Sequence, residues 1–197
     1  MGDAGNRIER DTMKRAKLAE ILRNDYVQIA ILVVIVVVSA VAFWFGLRTA
    51  LKTGYPLLAV ASGSMRPTLQ VGDLIVVQGV NAGDIKAAPK DAPEPGDIIV
   101  FHKPTNPREL IVHRAVEKFL EDGTWYFKTW GDNNIGPDNW ELPETNVIGK
   151  AIGPSVPLLG YVTLFVQSPL GIPVIVSIVL VLALVEYVSL RKKESVA

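Results

Sequence analysis

Residues 110–130 read LIVHRAVEKFLEDGTWYFKTW, two runs rich in β-branched and aromatic side chains that meet at Glu121-Asp122-Gly123. Asp-Gly readily supplies the positive backbone dihedrals of a tight hairpin turn, so the spacing predicts strands over 110–119 and 124–130 joined as a hairpin. In the second strand Trp125 and Phe127 share one face while Thr124, Tyr126, Lys128 and Trp130 share the other, which predicts at least partial burial of both. Outward from this hairpin, short apolar runs bounded by turn residues recur at 57–61, 73–79, 97–103 and 147–152. The pattern predicts a mainly β protein whose centre is a compact all-β domain. Residues 81–95, rich in Ala, Pro, Asp and Lys without a consistent period, predict a surface loop. There is no internal repeat and no basic stripe of the kind that binds nucleic acid.

The flanks have a different chemistry. Residues 27–46, VQIAILVVIVVVSAVAFWFG, carry no charge and as a helix span roughly 30 Å, the thickness of a bilayer's hydrocarbon. A cleaved leader is the rival reading, but its apolar stretch is shorter, about 7 to 15 residues, and ends at a small-residue cleavage site. Here Arg48 and Lys52 follow the longer run. Residues 169–190 predict a second spanning helix, with Pro169, Gly171 and Pro173 marking its start. Glu186 stands near the basic end Arg191-Lys192-Lys193, where its side chain can reach the interface. Arg7, Arg10, Lys14, Arg15, Lys17 and Arg23 precede the first helix, so the positive-inside rule puts both termini in the cytoplasm. The expected organisation is a cytoplasmic segment (1–26), a helix (27–46), an exported β-rich domain (47–168), a second helix (169–190) and a cytoplasmic tail (191–197). Residues 8–25 suit a solvated or membrane-surface helix.

The 197 residues balance 20 basic against 20 acidic side chains and include no cysteine. Disulfides, thiol catalysis and cysteine-based metal sites are thereby excluded. No Asn-x-Ser/Thr acceptor occurs, and the ligand spacing of a calcium loop is absent. Nothing calls for a metal or another cofactor.

Ala61-Ser62-Gly63-Ser64-Met65-Arg66-Pro67-Thr68 places a serine between a glycine and a proline at the end of a predicted strand. Glycine permits close approach and unusual dihedrals, and proline fixes the turn beyond. A serine hydroxyl needs a neighbouring base, and the chain has two histidines. His113 lies inside a predicted strand that would hold it rigidly, whereas His102 ends a strand and reads as a solvated bystander. Lys103 and Lys128 are the alternative bases. Gly131-Asp132-Asn133-Asn134-Ile135-Gly136-Pro137-Asp138 reads locally as a turn capped by Asp and Asn side chains, and its carboxylates are candidates to orient the imidazole.

SGSMRPT followed by Gly72-Asp73 resembles the nucleophile box of type I signal peptidases, in which the second serine, here Ser64, attacks the scissile carbonyl. Residues 96–101 (GDIIVF), the His113-Arg114 strand and GDNN resemble three further boxes of that family, in order, over about residues 59–153. The bacterial branch carries a lysine before the arginine, whereas the archaeal and endoplasmic-reticulum branch carries histidine, as here. The resemblance implies a membrane-bound serine endopeptidase with Ser64 as nucleophile and His113 as general base. Either Asp132 or Asp138 is its triad partner, and the Ser64 backbone N–H and the Ser62 hydroxyl serve the oxyanion.

Its substrates would be the signal peptides of secretory preproteins, cut after a small-x-small site on the outer face of the membrane. Leu57, Leu58, Ala59, Val60 and Ala61 form the candidate edge to which such a peptide adds. The implied partners are these peptides, the lipid bilayer, and translocation machinery or companion subunits, with no nucleic acid. The implied location is a cell membrane, multi-pass, with an archaeal plasma membrane favoured over a reticulum membrane. Rival readings are a self-cleaving repressor of related fold, which would be soluble and use lysine, and a non-catalytic membrane-anchored subunit or surface binding module.

Overall fold

The run Ile98-Ile99-Val100-Phe101 is apolar at every position, the pattern of a strand covered on both faces. In the computed structural model it forms β3 (Ile98–Lys103), at the centre of a seven-stranded antiparallel sheet. Val100, with Ile98 packed alongside, belongs to one core cluster with Val60, Met65, Leu69, Ile75 and Val77. Ile99 and Phe101 point the opposite way, into a second cluster with Ile85, Ala115, Phe127 and Leu142. One strand therefore ties two cores together.

The structure describes Met13 and residues 24–194, with side chains through Val185. Most of the expected surface helix over 8–25, nearly all of the cytoplasmic segment, the Glu186 side chain and the tail after 194 lie outside the described residues. The chain divides into two units after Ala50. The first contains α1 (Asp25–Ala50), 26 residues with none buried, a little longer at both ends than the apolar run predicts. α1 is long and apolar enough by itself to cross a membrane.

In the second unit the sheet order is β1 (Leu57–Ala59), β2 (Leu74–Gln78), β7 (Val147–Val156), β3, β4 (Asn106–Glu121), β5 (Thr124–Trp130) and β6 (Leu142–Pro143). Asp122 (φ 47°) and Gly123 (φ 79°) make the two-residue turn between β4 and β5, as Asp-Gly predicts. β5 buries Phe127 and Thr129 and half-buries the rest, so both its faces are covered. The strand expected at 110–119 is longer, because a register shift between Ala115 and Glu117 makes Val116 a bulge and lets one strand bend and serve two partners. Through Arg114 β4 pairs with β3, and from Arg114 onward it pairs with β5. The outer edge of residues 106–113 thus has no strand partner among the described residues.

β6 was not expected, since a two-residue bridge, Tyr126 to Pro143 and Phe127 to Leu142, is too short to show a period. The loop at 81–95 holds a short 3-10 turn, Ala82–Asp84, and anchors itself through the fully buried Ile85. α2 (Leu159–Gln167) and α3 (Gly171–Glu194) follow the sheet. The second spanning helix expected at 169–190 falls on α3. Its described stretch through Val185 qualifies by length and hydropathy only together with α2, to which it is bent by 93°.

Candidate active site

The serine loop leaves β1 and is pinned by its own side chains. Met65 and Leu69 are buried in the first core cluster, Leu69 N–H donates to Met65 O at 2.9 Å, and Arg66 N–H donates to Gly63 O at 3.2 Å. With Met65 anchored next to it, Ser64 has little freedom to move. Gly63 is not among the positive-φ residues, so it does not supply the unusual dihedrals expected of it. A Cβ there would lie 3.3 Å from Arg66 Nε, a tight contact with a flexible side chain.

His113 stands in β4 opposite Ile99, 6% exposed, with the Phe101 ring edge-on at 6.5 Å. Its Nε2 is 3.1 Å from Ser64 Oγ and its Nδ1 is 2.7 Å from Asp138 Oδ2. An ionised carboxylate only accepts, so Nδ1 carries the proton and Nε2 presents its lone pair to the serine hydroxyl. Asp138 is held in turn by β5. Thr129 Oγ1 donates to Asp138 Oδ2 at 2.6 Å, Asp138 N–H donates to Thr129 O at 2.9 Å, and Trp140 Nε1–H donates to Thr129 Oγ1 at 3.3 Å.

Asp132 occupies a separate network. It accepts from Arg114 Nε at 2.8 Å and Arg114 Nη2 at 2.7 Å, a two-point pairing favoured by the planar guanidinium. Thr68 Oγ1 also donates to it, and Arg114 Nη1 donates to Gly96 O at 2.7 Å. Burial alone would raise the Asp132 carboxyl. The hydrogen bonds from Arg114 and Thr68 and the charges of Arg114 and Lys90 outweigh it and hold the group below the ordinary aspartate range. Lys90 lies over the Trp130 ring at 4.4 Å and donates to Asn134 O, bracing the same loop. Asn133 N–H donates to Ser64 O at 2.8 Å, joining the aspartate loop to the serine loop.

The Ser62 hydroxyl is 3.2 Å from Ser64 Oγ, and the Ser64 backbone N–H has no acceptor among the described residues. A cleft of about 290 Å³ opens beside the pair, lined on one wall by residues 58–62 and on the other by residues 109–113. Leu58, Ala59, Val60 and Ala61 of the predicted edge line it; Leu57 does not. His102 is half-buried rather than freely solvated, with Nδ1 2.7 Å from Pro107 O and Tyr55 edge-on to its ring. Lys103 pairs with Glu109 and Lys128 with Glu117, and neither touches Ser64. Among the described residues no cluster of His, Asp and Glu has the makings of a metal site.

Sequence reasoning passed over Thr129, Trp140 and Gly131. Thr129 falls on the Trp125 and Phe127 face of β5, and a hydroxyl on a buried apolar face signals an internal partner. Gly131 had no such signal, because its need for a missing side chain appears only where the loops converge. A Cβ there would lie 2.7 Å from Ser64 O and 2.9 Å from His113 Nε2.

A serine, an imidazole and a carboxylate in hydrogen-bonded sequence, beside a cleft flanked by two strand edges, are the parts of a serine peptidase. Residues 26–116 match the family described as signal peptidase, peptidase S26. The chain is 30% identical over 168 residues to the signal peptidase complex catalytic subunit SEC11 of Tuber melanosporum, covering 80% of this chain and 88% of that one. It is 33% identical over 143 residues to the signal peptidase complex catalytic subunit SEC11C of Homo sapiens, 68% of each chain. The chain belongs to the signal peptidase family, peptidase S26, and is an enzyme of that family.

Proposed function

We propose that Ser64 is the nucleophile, His113 its general base and Asp138 the carboxylate that orients the imidazole. The substrate is the junction between a signal peptide and the exported protein, cut after a small-x-small sequence. The observation that carries this reading is the unbroken chain from Ser64 Oγ through His113 Nε2 and Nδ1 to Asp138 Oδ2. As Ser64 Oγ bonds to the scissile carbonyl carbon, its proton passes to His113 Nε2. His113 then gives that proton to the departing amine nitrogen as the C–N bond breaks. Water, deprotonated by the same imidazole, hydrolyses the acyl-serine and restores the hydroxyl.

Asp138 holds the reactive tautomer and offsets the imidazolium charge, while Thr129 fixes the carboxylate as a positioning residue. Asp132 couples Arg114 to the loop and has no proton to move. The Ser64 N–H and the Ser62 hydroxyl are the donors for the oxyanion, and such donors contribute roughly 10²–10³ in rate.

The exposed edge of β1 and the unpartnered edge of residues 109–113 face one cleft, which favours a substrate bound as an extended strand between them. Backbone hydrogen bonds would then fix its register and alternate side chains would be read by the cleft walls. α1 is the anchor and α3 a second span, with the domain between them exported and both termini cytoplasmic. Companion subunits are consistent with the relatives, which carry the name of a complex. Those relatives are fungal and mammalian, so the comparisons lend no support to an archaeal plasma membrane over a reticulum membrane.

The test is incubation of a model preprotein with the detergent-solubilised full chain and mass analysis of the new N-terminus. Cleavage directly after the small-x-small site is expected. Cleavage elsewhere, or none in the presence of companion subunits, counts against the substrate assignment.

A further inference from the structure

No charged residue occurs between Lys150 and Val185, yet α2 lies within this stretch on the surface of the sheet. Its inner face is built for close contact. Gly160 N–H donates to Gly72 O at 2.9 Å, and a Cβ on Gly160 would lie 2.5 Å from Asp73 O. The Tyr161 ring fills the space above Gly72, where a Cβ would meet it at 2.0 Å. α2 is thereby seated on the same 60–73 segment that carries Ser64.

Its outer face is apolar too. Val162 is 62% exposed and Phe165 46%, and Leu158 and Leu170, which flank the helix, are each 70% exposed. A helix whose outward side chains are largely apolar is covered on that side in its working environment. The covering material is indicated by what comes next. After a three-residue break α3 leaves at 93° to α2, and its described apolar side chains are exposed along its length.

We propose that α2 lies in the plane of the membrane, with Leu158, Val162, Phe165 and Leu170 in the outer lipid interface. There it fixes the height of the Ser64 loop above the bilayer. The inference rests on the reading of α3 as a span. A bilayer surrounding a helix perpendicular to α2 has its surface at the bend, and an uncharged apolar face suits the boundary between headgroups and acyl chains. Because α2 contacts the loop segment directly, the catalytic cleft would follow the bilayer as a rigid attachment rather than on a flexible tether.

The chain has no cysteine, so single labels are simple to place. Val162→Cys and Val166→Cys on α2, and Val174→Cys and Val181→Cys on α3, each carry a fluorophore in the full chain reconstituted into phosphatidylcholine vesicles. Lipids bearing nitroxides at graded depths serve as quenchers. The two α2 labels are expected at one shallow depth, whereas the two α3 labels differ by about 10 Å, the rise of seven helical residues.

A depth difference of about 6 Å between the α2 labels, as for a helix along the bilayer normal, would overturn the proposal. So would α2 labels out of reach of every lipid quencher, whether left in water or covered by a second copy or companion subunit. Absence of quenching at α3 would remove the second span and this proposal together. None of these readouts requires cleavage, so failure of the peptidase reading leaves them interpretable.

Discussion

His113 and Asp138 are 25 residues apart in the chain and 2.7 Å apart in space. What closes that gap is β5. It pairs with β4 beyond His113 and presents Thr129, whose hydroxyl and carbonyl both bond to Asp138. The two aspartates of one short loop are thereby sent to different partners, Asp138 to the imidazole and Asp132 to a guanidinium.

Asp138→Asn therefore removes the acceptor that selects the reactive tautomer. We expect kcat to fall by about 10²–10⁴ with KM little changed, the larger value matching the loss known for such a change in a serine-histidine-aspartate site. Asp132→Asn leaves the imidazole's partner in place, so its loss should be seen mainly in thermal stability. Steady-state kinetics and melting curves of the two variants check the division; a larger kcat loss in Asp132→Asn reverses the assignment.

Thr129→Val deletes one donor to Asp138 and the acceptor of Trp140 Nε1–H while keeping the shape. A buried donor left unpaired costs about 1–3 kcal/mol, which chemical denaturation would register. With Asp138 less firmly held, Thr129→Val should also lower kcat, and Thr129→Ser, which keeps the hydroxyl, should restore it, an outcome that a packing role for the threonine methyl would not give.

Gly131→Ala tests the convergence of the loops. The new methyl would collide with Ser64 O at 2.7 Å and His113 Nε2 at 2.9 Å, and the serine and imidazole must move apart to admit it. Overpacking of this kind costs about 1–3 kcal/mol. Activity should be lost at temperatures where the variant is still folded by circular dichroism.

The depressed Asp132 carboxyl also sets a pH window. Its folded-state value lies below its ordinary one, so the unfolded chain takes up the proton first as pH falls. The stabilisation is complete above the unfolded value of about 3.9 and disappears as pH drops through the folded value. The stability gap between wild type and Asp132→Asn should thus be level near neutrality and close below about pH 4. A gap that stays constant there would mean that the carboxylate contributes no charge interaction.

How far the sequence carried this account depended on whether a feature was local. Asp122-Gly123 dictates its turn whatever surrounds it, and the unbroken apolar run of β3 declares burial on both faces. Ser64 and His113 stood out through the resemblance of their boxes to the signal peptidase family; read locally, they are a Ser/Gly/Pro turn and a strand histidine. The choice between Asp132 and Asp138 was not legible, since the loop has no period and the groups that separate the two carboxylates, Thr129 for Asp138 and Arg114 with Thr68 for Asp132, lie on other segments. Ile85, alone in a polar loop, gave no sign that it would fill the second core. β6 and the cramped site at Gly131 likewise exist only once distant strands have met.

The most direct test of the central claim is the rate of preprotein cleavage by the full chain, compared among wild type, Ser64→Ala and His113→Ala. With Ser64 as nucleophile and His113 as base, each variant alone should reduce kcat by at least about 10³, and the double variant should be hardly worse than either, because the two act as one unit. Cleavage by Ser64→Ala at the wild-type rate would contradict the account.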